Sequence, residues 1–229
     1  MAQGLRWCKR RETQPRCKSI KPPAAMFKVA FIVAALWFWS TSTVLASPKP
    51  VDSLTLDAYL GRWYQTYASA TVLYGTEVGG SCVVADYGST SRRDVISVKN
   101  IVYPFGREVS VNGYAVANAA RAGEFEVALG PQADASHPKA FSASNYVIFG
   151  LGPMVAGKYD YALVTDPGMW TLYVLARDPD RFETLYEADV LKQLDSMGFT
   201  GFLIKPRKSN QRGCKRPSAE ELEPVPVLV

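Results

Sequence analysis

Between Leu56 and Ile204 the chain is a succession of short runs of β-forming residues cut at near-regular intervals by turn chemistry. This rhythm constrains the fold more than any other feature, because it is the pattern of an all-β barrel or sandwich. The runs fall near 62–69, 81–88, 94–103, 107–117, 123–129, 145–151, 158–165 and 170–177. Between them stand Gly88-Ser89, Pro104-Phe105-Gly106, Ala122-Gly123, Pro131 to Pro138, Gly152-Pro153 and Asp166-Pro167-Gly168, the last being the strongest hairpin signal. Eight consecutive strands with short connections predict an up-and-down antiparallel meander. Closing it into a barrel removes its exposed edges. The period then changes: Phe182, Leu185, Tyr186, Val190, Leu194 and Met197 recur at helical spacing. Asp178 is the cap candidate, Pro179 suits the first turn and Gly198 the stop. The expectation is an all-β, eight-stranded antiparallel barrel with one C-terminal α-helix packed on it, followed by a short strand over Phe202–Ile204.

Charge does not point to nucleic acid. The 229 residues carry a formal +5, but eight of the 26 bases and one of the 21 acids lie in residues 1–46. The remainder holds 18 bases against 20 acids, a net of −2. A basic cluster near the end (Lys205, Arg207, Lys208, Arg212, Lys215, Arg216) reads first as solvated surface and second as a peripheral contact with a membrane surface.

The apolar run Val29–Trp39 is too short to span a bilayer, which takes about 20 residues. With Lys28 before it and Val44-Leu45-Ala46 after it, it has the form of a secretory signal, with cleavage expected after Ala46. Residues 1–25 set that signal unusually deep; an over-extended start, an organelle-targeting extension and a retained anchor are the alternatives. The expected division is residues 1–46 as extension and signal, 47–216 as the folded domain and 217–229 as a disordered tail. Within the domain only Cys82 and Cys214 remain, an even pair that in a secreted protein reads as one disulfide, the alternative being two unrelated thiols.

Eight strands, one helix and a short strand in this order resemble a lipocalin. Leu60-Gly61-Arg62-Trp63-Tyr64 resembles the Gly-x-Trp signature of the family's first strand. Leu172 to Pro179, with Arg177, resembles the last barrel strand running into the helix. Tyr159 to Val164, and the placing of Cys82 and Cys214, are similar to the branch holding apolipoprotein D and the bacterial lipocalins. One motif departs: Gly150 to Gly157 stands where the family has a Thr-Asp-Tyr-like turn, which suggests an altered loop at the closed end. The resemblance implies that Trp63 plugs one end of the barrel with Arg177 across it, while Gly61 lets the backbone pass close.

The resemblance further implies a secreted carrier of one small hydrophobic ligand, such as a fatty acid, lysophospholipid or sterol. Alternation along a strand sends every second side chain inward. If Trp63 points inward, so do Gln65 and Tyr67; Val147, Phe149, Tyr159 and Tyr161 are further wall candidates. On the last strand the phase stays open between Leu172 with Val174 and Tyr173 with Leu175, and Tyr173 is taken as a ligand contact. No cofactor and no metal are expected. A catalytic role finds little support: there is one His137, in a loop, and no nucleophile elbow, zinc-protease pair or phosphate loop. Glu124 and Glu126 share a strand face that reads as solvated. An enzyme acting on a lipid or pigment, or a lipocalin that binds proteins instead of lipid, are the alternative functions.

Overall fold

The computed structural model describes residues 48–214; the expected signal segment, its cleavage site and the tail lie outside these. Eight strands form the barrel: β1 (Gly61–Ala68), β2 (Val84–Ser89), β3 (Val95–Val102), β4 (Val109–Ala117), β5 (Glu124–Leu129), β6 (Tyr146–Leu151), β9 (Tyr161–Thr165) and β10 (Leu172–Ala176). Each pairs antiparallel with its neighbour, and β10 returns to β1 to close the ring. A small hairpin of β7 (Met154–Val155) and β8 (Lys158–Tyr159) occupies the departing loop. Its turn is made by Ala156 and Gly157, both at positive φ, which suits a tight two-residue connection. The run expected at 158–165 is thus two strands, interrupted at the buried Asp160.

Gly88 and Ser89, expected as a turn, are instead the end of β2 and pair with Ser97 and Ile96 of β3. Between β9 and β10 the Asp166 carboxylate accepts hydrogen bonds from the N–H groups of Gly168 (2.9 Å) and Thr171 (2.6 Å), which fixes the hairpin. At the other end Asp178 caps α2 (Pro179–Leu185) by accepting from the N–H groups of Asp180 and Arg181 at 3.0 and 3.1 Å. The single expected helix is two. Tyr186, at φ −126°, ψ −23°, breaks the pattern, and α3 (Glu187–Ser196) follows it. The strand expected at Phe202–Ile204 is instead a turn in which Ile204 and Lys205 both donate to the Gly201 carbonyl. The terminal strand, β11, is Arg207–Lys208 and pairs with the end of β1.

Strand β1 is buried on both faces from Trp63 to Ala68. One face looks into the barrel; the other is met by the helical layer, where Tyr67 reaches Glu187 on α3. An interior cluster includes Trp63, Ile96, Val98, Ala115, Ile148, Val164 and Leu175. A second cluster between barrel and helices includes Leu163, Leu172, Val174, Phe182, Val190 and Leu194. Cys82 and Cys214 are joined, with Cα atoms 5.4 Å apart, so the segment after β11 is tied to the approach to β2. Gln211 adds to that tie by donating to the carbonyls of Gln65 and Val83.

Candidate functional site

The barrel encloses a cavity of about 420 Å³. It is walled mainly by apolar side chains of β2 to β5 and β10, among them Ala85, Val98, Ala115, Phe125, Val127 and Leu175. At one end it is closed. A short helix, α1 (Leu56–Tyr59), leads into β1, and Trp63 fills the floor with no exposure to solvent. Trp63 Nε1 donates to the Tyr59 carbonyl at 2.8 Å. Arg177 lies on the ring, its guanidinium carbon 3.7 Å from the centroid, and donates to the carbonyls of Ala58, Tyr59, Leu60, Arg62 and Tyr159. Burial pulls its pKa down to about 10, yet it stays a cation at neutral pH. Gly61 sits at φ +103°, where a Cβ would stand 3.2 Å from Arg177 Nη1, so the close approach needs glycine twice over. Gly61, Trp63 and Arg177 thus meet at the closed end of the barrel.

Above the floor stand three tyrosines. Tyr146 Oη is 2.6 Å from Tyr59 Oη and 3.1 Å from Tyr87 Oη, and the Tyr59 and Tyr87 rings stack at 5.5 Å. Three hydroxyls carry three protons and use two on each other, so one donor is left for a guest. Burial raises all three pKa values, Tyr87 to about 12, and keeps the phenols neutral. None of the three was among the wall candidates. For the two on strands the signal was phase: once Ile148 is inward, so is Tyr146, and once Ala85 is inward, so is Tyr87.

Of the predicted wall residues, Gln65 and Tyr173 line the cavity. Tyr173 and Leu175 face inward on β10, while Leu172 and Val174 pack beneath the helices, which settles the open phase. Tyr67 does not line the cavity. The register of β1 against β10 slips at Thr66: Gln65 faces Leu175, but Tyr67 faces Val174. That bulge turns Tyr67 outward, where its hydroxyl donates to Glu187 on α3 at 2.6 Å. Val147 and Phe149 are likewise in the opposite phase. Tyr146 and Ile148 point inward, and Phe149 stacks on Phe199 at 5.4 Å outside the barrel. Tyr161 packs on Phe182 and Tyr186 of the helical layer. Tyr159 belongs to the closed end, its hydroxyl accepting from the Thr55 N–H at 3.0 Å.

Apart from the tyrosines, the cavity wall carries Gln65, Glu77 and Asn100 among its polar side chains. Gln65, only 2% exposed, donates from Nε2 to Glu77 Oε2 at 2.7 Å and to Ser209 Oγ at 3.1 Å. Burial raises the Glu77 carboxyl above its ordinary range. Asn100 Oδ1 is buried without a hydrogen-bond partner. Chemistry beyond binding has little to work with among the described residues. His137 is an exposed loop residue paired with Asp134 at 3.0 Å. Glu124 is buried rather than solvated, but its carboxylate is held by Arg121 and Asn118. In the basic cluster, Lys208 is neutralised by Glu183 and Glu187, and Arg207 lies over the rings of Phe202 and Tyr74.

Residues 54–208 match the family model described as a lipocalin-like domain. None of the curated proteins matches the chain. Among solved structures it is similar to lobster apocrustacyanin A1, at 15% identity over 68% of this chain and 78% of that one, TM-score 0.43. It is similar to H1 crustacyanin from the lobster Homarus americanus at 15% identity over 72% and 90%, TM-score 0.43. The siderocalin Ex-FABP matches at 14% identity over 67% and 95%, TM-score 0.36.

Proposed function

This chain belongs to the lipocalin family, and on that premise we propose that its domain, residues 47–216 after signal cleavage, is a secreted carrier of one small hydrophobic molecule. The ligand is a fatty acid, lysophospholipid, sterol or similar lipid, held in the barrel and released unchanged. The observation that carries this reading is the cavity of about 420 Å³, apolar along its wall, sealed by Trp63 and Arg177 at one end and reaching the exposed Leu129 at the other. That volume lies in the ordinary range for small-molecule sites. Burial of apolar surface, at about 25 cal/mol per Å², supplies most of the affinity. The oxidising compartment implied by the Cys82–Cys214 bond supports secretion.

The test is titration of delipidated protein with long-chain alcohols, acids, lysolipids, sterols and pigments, read by Trp63 fluorescence. Saturation near one equivalent is expected, and Ala115→Trp, which fills the cavity, is expected to abolish it. Absence of saturation by every compound overturns the carrier reading.

A second reading adds a peripheral membrane contact. The loops after β1, β3 and β9 share one end of the barrel and expose Tyr74, Phe105 and Trp170, with Phe202 beside Arg207. Aromatic side chains beside a cation suit a membrane interface. Co-sedimentation with anionic vesicles, lost on Trp170→Ser with Phe202→Ser, is the expected result; no sedimentation ends this reading.

A further inference from the structure

We propose that the polar end of the ligand is an uncharged or cationic hydrogen-bond donor, an alcohol or an amine, and that Glu77 rejects a free carboxylate. This rests on the carrier reading and narrows its ligand class to neutral or cationic lipids such as sterols, setting free fatty acids aside.

Among the described residues lining the cavity there is no Lys, Arg or His, whereas two carboxylates, Glu77 and Asp166, are present. An anionic head group would enter a low-dielectric space with no counter-ion and with like charge near it. The cation closest in role, Arg177, cannot supply one, because its donors are already directed at five main-chain carbonyls beneath the Trp63 ring. The two acids are not equivalent. Asp166 is saturated by the turn it organises, accepting from Gly168 N–H, Thr171 N–H and Thr171 Oγ1. Glu77 receives one side-chain hydrogen bond, from Gln65 Nε2 to its Oε2, so its other oxygen has acceptor capacity to spare.

Glu77 is also held in place. Its N–H donates to the Val72 carbonyl at 3.0 Å and its carbonyl accepts from Gly80 at 2.8 Å, which pins it on the turn following β1. Gln65 cannot offer a compensating donor to an anion, since both Nε2 hydrogens are used, one on Glu77 and one on Ser209. The buried, unpartnered Asn100 Oδ1 adds a second acceptor on the wall. What the lining lacks, among the described residues, is a cation to set against an anionic head group, while Glu77 and Asn100 offer acceptors to a guest that brings its own donor. Burial has already pushed the Glu77 carboxyl up, so a ligand N–H or O–H would relieve a real deficit.

The experiment uses three probes of one chain length: dodecanol, dodecylamine and dodecanoate, titrated at pH 7 into the delipidated, disulfide-intact protein and into Glu77→Gln. In the native protein the alcohol and the amine are expected to bind at least tenfold tighter than the carboxylate. In Glu77→Gln the carboxylate gains about tenfold, the amine loses about tenfold and the alcohol changes by less than threefold. Equal affinity for the three heads, or tightest binding of dodecanoate, overturns the head-group assignment while leaving the carrier reading standing. Saturation by none of them, nor by sterols or lysolipids, removes the carrier reading itself. If Glu77→Gln does not fold, the order of the three probes on the native protein decides the question.

Discussion

Arg177 covers the Trp63 ring at 3.7 Å while donating to carbonyls on α1, on β1 and at Tyr159, so one side chain joins the last barrel strand to the first and to the segment that plugs them. Removing either partner should therefore act on stability before it acts on binding. Trp63→Ala is expected to cost about 3–5 kcal/mol, as large buried truncations do. Arg177→Lys is also expected to destabilise, because an ammonium cannot match the planar fork that reaches several carbonyls at once. Denaturant unfolding measures both. Wild-type stability in Trp63→Ala would show that the floor is not a structural element.

The bulge at Thr66 separates two tyrosines of the same sequence character into different roles. Tyr67→Phe loses the hydrogen bond to Glu187 and should cost about 1 kcal/mol, with ligand affinity within twofold of native. Tyr173→Ala opens the cavity wall and should change ligand affinity at least fivefold. Paired unfolding and titration curves check this; an affinity change in Tyr67→Phe would place that residue in the site after all.

Breaking the Cys82–Cys214 bond releases a loop of 132 residues. In the chain-entropy model its closure is worth about 4–5 kcal/mol. Cys82→Ser with Cys214→Ser is expected to lower the unfolding midpoint by a comparable free energy and to loosen β11 first, since β11 lies just before Cys214. Hydrogen exchange at Ser209, whose N–H donates to the Thr66 carbonyl at 2.9 Å, reports that loosening.

Glu77 gives the empty protein a pH signature. Its carboxyl is raised above the usual 4.5 by burial, so the folded state binds its proton more tightly than the unfolded state does. As pH rises through the window above about 4.5, the folded protein must give up that proton against its preference, and stability contributed by the neutral form is lost. Glu77→Gln removes the titration. Its Tm should exceed that of the native protein at pH 7, and the difference should shrink as pH falls toward 4.5. A difference independent of pH would mean that Glu77 is not the titrating group.

Much of the barrel was legible in local chemistry. Asp166-Pro167-Gly168 forms the β9–β10 hairpin, Asp178 and Pro179 start a helix, and Gly61, Trp63 and Arg177 assemble the floor. Each of these is decided within a few residues or by a motif whose parts have fixed places on adjacent strands. The wall was legible only in part. Alternation carries inward-facing phase along a strand, but an extra residue reverses it, and Thr66 is such a residue. On β6 the assumed phase put Val147 and Phe149 inside, where Tyr146 and Ile148 stand. Both faces of that strand are apolar because helices cover the outside, so hydrophobicity could not tell them apart.

What the sequence by itself determined was the count and order of the eight barrel strands and most of the turns between them, since these follow from local propensity and from period. What only the tertiary structure decided was which side of each doubly buried strand meets the cavity. That choice depends on register across the β1–β10 seam and on the helical layer outside it, both made by residues more than 100 positions apart. The break of the helix at Tyr186 belongs to the same class: its ring packs against Tyr161 of β9, a contact that exists only once the helical layer lies on the barrel. So does the meeting of Gln65, Glu77 and Ser209, which brings β1, its following turn and the segment after β11 to one point, and so places an acceptor-rich site in an otherwise apolar wall.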